Sequence, residues 1–367
     1  MSLELYKIAL GQLNGIGPSR ATRILGKLAC LNDLFTQNDR ELHLQTGVAY
    51  SILKEMNREG ALQIAEKQLV FNERNKIQSH FFMDEDYPRR LRQCADAPII
   101  LFSKGLSNLN QPNVVSIVGT RNQTEYGRKL VEELLETIQS TELTVVSGLA
   151  YGVDIHVHET CVNKGIFNIG VFGHSLDRIY PYQHRKVAER MLENGGWISE
   201  FIVGTKPDRM NFPMRNRIIA GMSDAIIVVE SKTKGGSIIT AELGNDYNRD
   251  VFAFPGSVHQ EQSEGCNWLI QKQKAHLIQN GADFLTFMNW QLEMPKKQLE
   301  LFPELEANEL KVFQILVELK EAHIDVIAMK SGFSTSQLNV LLFQLEMKNI
   351  VQSGSGKRYS LQFKHCA

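Results

Sequence analysis

Short apolar runs alternate with amphipathic stretches through the middle of the chain. Between about Asp86 and Asn289 the runs Val114–Val118, Thr144–Ser147, Asn168–Phe172, Ala225–Val229 and Val251–Ala253 are largely apolar without a two-residue alternation. Tyr126–Ser140, Val153–Lys164, His184–Glu193 and Ile238–Asn248 lie between them and carry helical periodicity. Strands apolar on both faces, each followed by a helix, predict a parallel sheet covered on both sides, an α/β fold. The first 82 residues have a different texture. Short helices are expected at Glu4–Leu10, Arg20–Leu28, Leu31–Leu34, Gly47–Met56 and Ala61–Phe71, with no strand periodicity among them. Two prolines and a charge cluster in EMPKKQLELFPE mark residues 293–304 as a linker. Beyond it, helices are predicted at Glu309–Leu319, with Leu310, Phe313 and Leu316 on one face, at Ile324–Met329, and at Ser336–Glu346. A hairpin closes the segment, from Ile350–Ser353 through Gly354-Ser355-Gly356 to Arg358–Leu361. The expected organisation is a helical domain over 1–82, a sheet domain over 83–292, the linker, and a winged-helix-like domain over 305–367.

Composition narrows the function. The chain has 367 residues and a net charge of −1, so it is no histone-like wrapper; a local basic groove is still compatible with nucleic acid. No apolar run reaches the ~20 residues of a membrane span, and MSLELYKIAL carries Glu4 and Lys7 where a signal peptide would be apolar. A cytoplasmic protein is expected. Cys30, Cys94, Cys161, Cys266 and Cys366 are odd in number and include no CxxC pair, which speaks for idle thiols rather than disulfides or zinc.

Ligands of parallel α/β sheets bind beyond the carboxyl ends of the strands. Here each predicted strand end is followed within a few residues by glycine. Gly119, Thr120, Arg121 and Asn122 follow the first; Ser147 and Gly148 follow the second. Gly173-His174-Ser175, the ESKTKGGS loop with Gly235 and Gly236, and Pro255-Gly256-Ser257 follow the others. One such glycine is an ordinary tight turn. Several on one edge would let backbone N–H groups and helix N-termini approach an anion, and phosphate is the natural candidate. No loop matches GxGxxG, so no dinucleotide cofactor is expected. Arg121, Arg185, Lys186, Arg215 and Arg217 (with Asn216 between the last two), Lys232 and Lys234 add a basic strip. Tyr180, Tyr182 and Phe212 lie among them as candidate stacking rings.

Other motifs carry less. LNGIGPSRATRIL (Leu13–Leu25) has helix-hairpin-helix form, a phosphate dock or a plain structural turn. Asp154, His158 and Cys161 share a helix face, where a capping Asp and a hydrogen-bonded core His explain them better than a metal. Ser175 in GHSLD lacks the second glycine of a nucleophile elbow. Glu230 and Glu242 flank the GGS loop and are the one arrangement that keeps an enzyme in view, as carboxylates over a bound sugar. The Ser336–Glu346 helix offers no Arg or Lys to duplex DNA and suits packing or a protein contact.

The ordered motifs YPRRL (Tyr87–Leu91), IVGTRNQTEYG (Ile117–Gly127), SGLAYGVDIHVHE (Ser147–Glu159), LDRIYP (Leu176–Pro181), NFPMRNRIIAGMSDAIIVVE (Asn211–Glu230) and GGSIITAELGNDYNRDVFAFPG (Gly235–Gly256) resemble the DprA/Smf family of bacterial DNA-processing proteins over nearly the whole chain. The resemblance implies an extended Rossmann-like core between an N-terminal helix-hairpin-helix or SAM-like domain and a C-terminal winged helix. It implies a homodimer that protects incoming single-stranded DNA in natural transformation, loads the RecA recombinase, needs no cofactor and is not an enzyme. Carried over by motif, Arg121 and Lys186, with Arg185 beside it, grip the strand; Gly119, Gly148 and Ser147 line the pocket; Arg215 and Arg217 come from the RNR pair. Phe172-Gly173-His174-Ser175 departs from the glycine-rich triplet usual before LD. The competing reading is a nucleotide phosphoribohydrolase of the lysine-decarboxylase-like group, with Gly235, Gly236, Arg217 and Glu242 as its working parts.

Overall fold

The computed structural model describes residues 2–105, 108–290, 305–348 and 350–361. The expected linker at 293–304 and Cys366 lie outside them. The chain divides into two compact units, Met1–Leu292 and Glu293–Ala367.

Six helices open the first unit: α1 (Leu3–Leu10), α2 (Pro18–Leu25), α3 (Asp33–Thr36), α4 (Asp39–Thr46), α5 (Tyr50–Glu55) and α6 (Arg58–Asn75). Side chains start several of them. Ser2 caps α1, Asn57 caps α6, and Asn38 and Glu41 form a reciprocal capping box on α4. That box marks α4, a helix the apolar pattern does not reveal. There follow β1 (Gln78–Phe81), α7 (Arg89–Arg92), β2 (Ile100–Lys104), β3 (Asn113–Val118), α8 (Glu125–Ile138), β4 (Leu143–Ser147), α9 (Val153–Lys164), β5 (Asn168–Val171), α10 (Arg185–Met191), β6 (Gly195–Ser199), α11 (Asn211–Met222), β7 (Ala225–Val228), α12 (Gly236–Asp246), β8 (Asp250–Ala253), α13 (Glu264–Gln271), β9 (His276–Leu277) and α14 (Gly281–Phe287).

The nine strands form one sheet in the order β1-β2-β6-β5-β4-β3-β7-β8-β9. β3 to β9 run parallel, while β1 and β2 are antiparallel additions at one edge. The parallel sheet is as expected; β1 is not. A strand of four residues paired with a single neighbour is too short to impose a visible period, and it lies inside the segment read as purely helical.

Successive residues of the central strands point to opposite layers. Val114, Val118, Val146, Ile226 and Val228 join one apolar cluster, with Ile218 and Ile219 of α11, Met191 of α10, and Leu5, Ile8 and Leu10 of α1. Val115, Ile117, Val145, Ala225 and Ile227 join the other, with Leu134 and Leu135 of α8, Val157 of α9 and Phe284 of α14. Two covered faces account for the continuously apolar runs. Each Val, Leu, Ile, Met or Phe side chain among them, fully buried, stabilises the fold by about 1.5–3 kcal/mol. The N-terminal helices share the first of these clusters, so they pack as part of the sheet unit.

The second unit comprises α15 (Ala307–Leu319), β10 (Glu321–His323), α16 (Ile324–Ser331), α17 (Thr335–Met347), β11 (Val351–Gly354) and β12 (Arg358–Leu361), with strand order β10-β12-β11. Ser334 and Gln337 cap α17, and Gly332 turns into it at φ +71°. The buried face of α15 is Val312, Ile315 and Leu316, with Leu310 exposed, which shifts the face expected from Leu310, Phe313 and Leu316. Glu309 explains the shift: it is buried on that side and held by Lys348 at 2.7 Å.

Candidate nucleic-acid interface

From β3 the chain winds through β4, β5 and β6 on one side and through β7, β8 and β9 on the other. The loops leaving the carboxyl ends of β3 and β7 therefore diverge and open a crevice, the usual ligand position in such sheets. A cleft of about 740 Å³ lies there. Its walls are Gly119, Thr120 and Arg121 after β3, Ala150 and Asp154 at the start of α9, Phe212, Arg215 and Asn216 of α11, and Ser231, Lys232 and Lys234 to Ser237 after β7; Tyr180 and Arg209 complete the rim.

The loop after β3 is pinned from several sides. The Thr120 N–H donates to Glu230 O at 2.8 Å, and its hydroxyl donates to Gln262 Oε1 at 2.8 Å. Thr124 donates its N–H and hydroxyl to the Glu230 carboxylate at 2.9 and 2.5 Å. The Val153 N–H returns to Thr120 O at 3.1 Å. Close packing explains Gly152, at φ +78°, where a Cβ would sit 2.2 Å from Thr120 O. So held, Arg121 projects into solvent with its guanidinium 5.7 Å from the Phe212 ring centroid. Across the cleft, α12 starts at Gly236 behind Gly235, which has no side chain to cap it, so its first N–H groups and positive dipole end face the opening.

Five cationic side chains, Arg121, Arg209, Arg215, Lys232 and Lys234, share the lining with one carboxylate, Asp154. They are not equivalent. Arg215 is buried and donates to Gly148 O and Val171 O, both at 2.5 Å, which ties the ends of β4 and β5 to α11. Burial pushes its guanidinium down to about 10, leaving it charged at neutral pH. Near it, burial holds the Asp154 carboxyl above the usual range against the opposing pull of Arg215. Lys232 pairs with Glu261 at 2.6 Å on the surface, a weak contact that an anion can displace.

Of the residues singled out from the sequence, Gly119, Thr120, Arg121, Arg215, Asn216, Gly235 and Gly236 line the cleft. Asn122 is adjacent and exposed, its N–H on the Thr120 hydroxyl at 3.2 Å. Ser147 and Gly148 are buried behind the wall; Ser147 donates to Ile117 O at 2.7 Å. Arg185 and Lys186 are exposed on α10, outside the lining, and Arg185 pairs with Glu189 at 2.7 Å. Arg217 does not share the cleft. Two positions beyond Arg215, it points about 200° around the helix and is bonded to Glu200 and Asp96 O. Glu230 and Glu242 form no carboxylate pair over the opening. Glu230 is committed to Thr124, and Glu242 pairs with Lys274 at 2.8 Å. His158 is buried with Nδ1 on Asn168 Oδ1 at 2.9 Å, and burial pushes it down to about 4. Burial raises the Cys161 thiol. The Ser175 hydroxyl donates to Asp177 at 2.5 Å. Sequence reasoning missed Arg209, which no spacing rule ties to the strand ends.

An open, mainly parallel sheet with a cationic, aromatic-sided crevice at its reversal point defines an α/β domain whose crevice suits a ligand that carries both negative charge and flat rings. Comparison makes this specific. The family described as DNA recombination-mediator protein A matches residues 78–289, and the chain belongs to that family. Protein Smf of Synechocystis sp. is 33% identical over 306 residues, covering 78% of this chain and 71% of the relative. The DNA processing protein DprA of Streptococcus pneumoniae is 39% identical over 210 residues, covering 57% and 74%. Its X-ray structure aligns with a TM-score of 0.64 at 33% identity, over 77% of this chain and 96% of that one. DNA processing protein A of Helicobacter pylori, solved for its single-stranded DNA binding mode, aligns with a TM-score of 0.53 at 30% identity, over 58% and 96%. The family is one of recombination mediators rather than enzymes.

Proposed function

We propose that this protein binds single-stranded DNA in the β3/β7 crevice and serves as a mediator of recombination in natural transformation, delivering the strand to RecA. The observation that carries the reading is the exposed Arg121 beside Phe212, facing the uncapped start of α12 across a cleft that holds five cations and one carboxylate. A flexible strand can place a phosphate on Arg121 and a base on the ring, whereas a stacked duplex keeps its bases out of reach. Lys186 and Arg185 extend the charge outside the cleft. The α1–α6 region serves as a helix-hairpin-helix or SAM-like module, and the Glu293–Ala367 unit as a winged helix whose α17 suits a protein contact. A second copy fits the open β9 edge, where Leu277 and Phe287 are about half exposed. No helix among the described residues is long and apolar enough to cross a membrane.

Titration of fluorescent oligothymidine against a duplex of equal length, at two salt concentrations, tests the reading. Single strands should bind more tightly, with an affinity that falls steeply with salt; equal affinity for the duplex refutes it. RecA delivery is read separately, as faster RecA filament growth on single strands when this protein is present.

A further inference from the structure

The turn after β4 is a junction of three segments. Gly148 O accepts from Arg215 of α11 at 2.5 Å, and Leu149 O accepts from His184 Nδ1 at 2.8 Å. The Val153 N–H donates to Thr120 O, next to Arg121, at 3.1 Å. Leu149 sits in the left-handed region at φ +58°, fully buried, a conformation a leucine keeps only where its surroundings hold it. His184 is buried too. Its ring meets Tyr151 edge-on at 4.9 Å, and the Tyr151 hydroxyl donates to Gln183 Oε1 at 3.1 Å. Immediately after His184 come Arg185 and Lys186, both exposed at the start of α10. The imidazole thus fastens the cation-bearing start of α10 to the turn that also anchors the Arg121 loop.

We infer that His184 is a positioning residue: its bond to Leu149 O keeps Tyr182 and Lys186 in register with the Arg121 cleft. The inference rests on the single-strand reading of the cleft. Tyr180 lines the cleft, and two residues on Tyr182 is 71% exposed, with the Arg185 guanidinium 6.0 Å from its ring centroid. A strand leaving the cleft past Tyr180 meets an open ring for a base and an ammonium for the next phosphate.

A double-mutant cycle on a long oligothymidine tests this. Lys186→Ala should weaken binding about fivefold, His184→Ala by at least that factor because it also releases Tyr182, and the double variant by no more than His184→Ala alone. His184→Asn, whose amide can donate to Leu149 O from the Nδ1 position, should restore affinity; His184→Gln, with its donor one bond further out, should not. Additive effects, or equal binding by the Asn and Gln variants, overturn the inference. If His184→Ala does not fold, the Asn and Gln variants are compared with and without Lys186→Ala. The Lys186 effect should persist with Asn and vanish with Gln, and its persistence in both overturns the inference. Arg121→Ala on the same oligonucleotide separates the two levels. Wild-type binding by that variant removes the cleft reading itself, whereas weakened binding beside an additive cycle removes only the role of His184.

Discussion

Replacing Arg121 by alanine deletes a cation whose position is set by the pinned loop but whose head group is free to meet a ligand. Among the described residues it faces a ring, Phe212, rather than a carboxylate. A charge-assisted hydrogen bond contributes about 1.5–3 kcal/mol, and the exposure of Arg121 argues for the lower end. About 1.5 kcal/mol corresponds to roughly a tenfold rise in Kd. Losing one phosphate contact should also reduce the slope of log affinity against log salt by about 0.7 for a single strand. Anisotropy of a labelled oligothymidine across a salt series measures both quantities. Arg121→Lys should retain the slope and lose only about two- to threefold, since charge survives while the planar fork and its packing on Phe212 do not. Arg217→Ala is the control: bonded to Glu200 and Asp96 O, it should lower the thermal midpoint without touching the slope. An Arg121→Ala variant with unchanged slope and affinity refutes the reasoning.

Three further outcomes are expected. Arg215→Met leaves the buried Gly148 and Val171 carbonyls without their donor, so denaturant unfolding should show a loss of about 2–4 kcal/mol; a loss below about 1 kcal/mol contradicts the clamp. Gly152→Ala demands φ +78° of an L-residue and drives its Cβ against Thr120 O, and should cost more than about 2 kcal/mol by the same measurement. His158 is lowered to about 4 in the fold, so the unfolded chain binds the extra proton below about 6.5. Stability should therefore fall as pH drops from about 6.5 toward 4, by about 2 kcal/mol near pH 5, and His158→Leu should flatten that stretch of the profile.

Much of the sheet was legible because burial on both faces leaves an unbroken apolar run, and Val114–Val118 and Ala225–Val229 display it plainly. The loops that follow them were legible for the same reason: a parallel strand must end somewhere, and chemistry gathers where it does. Directions around a helix were not. Arg215 and Arg217 look alike in NFPMRNR, yet one is a buried clamp in the cleft wall and the other holds Glu200 on the far side of α11. Glu230 read as half of a catalytic pair because its partner, Thr124, is far away in sequence and adjacent only once β3 and β7 are side by side. β1 escaped notice because its pairing with β2, rather than any pattern of its own, makes it a strand.

The crevice has a consequence for when the protein can act. One of its walls is encoded at residues 119–121 and the facing one at 231–237, about a hundred positions later, and the two meet only across the β3/β7 seam. A chain still on the ribosome with β7 unmade has half a jaw and nothing to close against. Competence to hold a polynucleotide should arrive abruptly, at the moment the late strands dock, and the half-made molecule should let passing DNA go by.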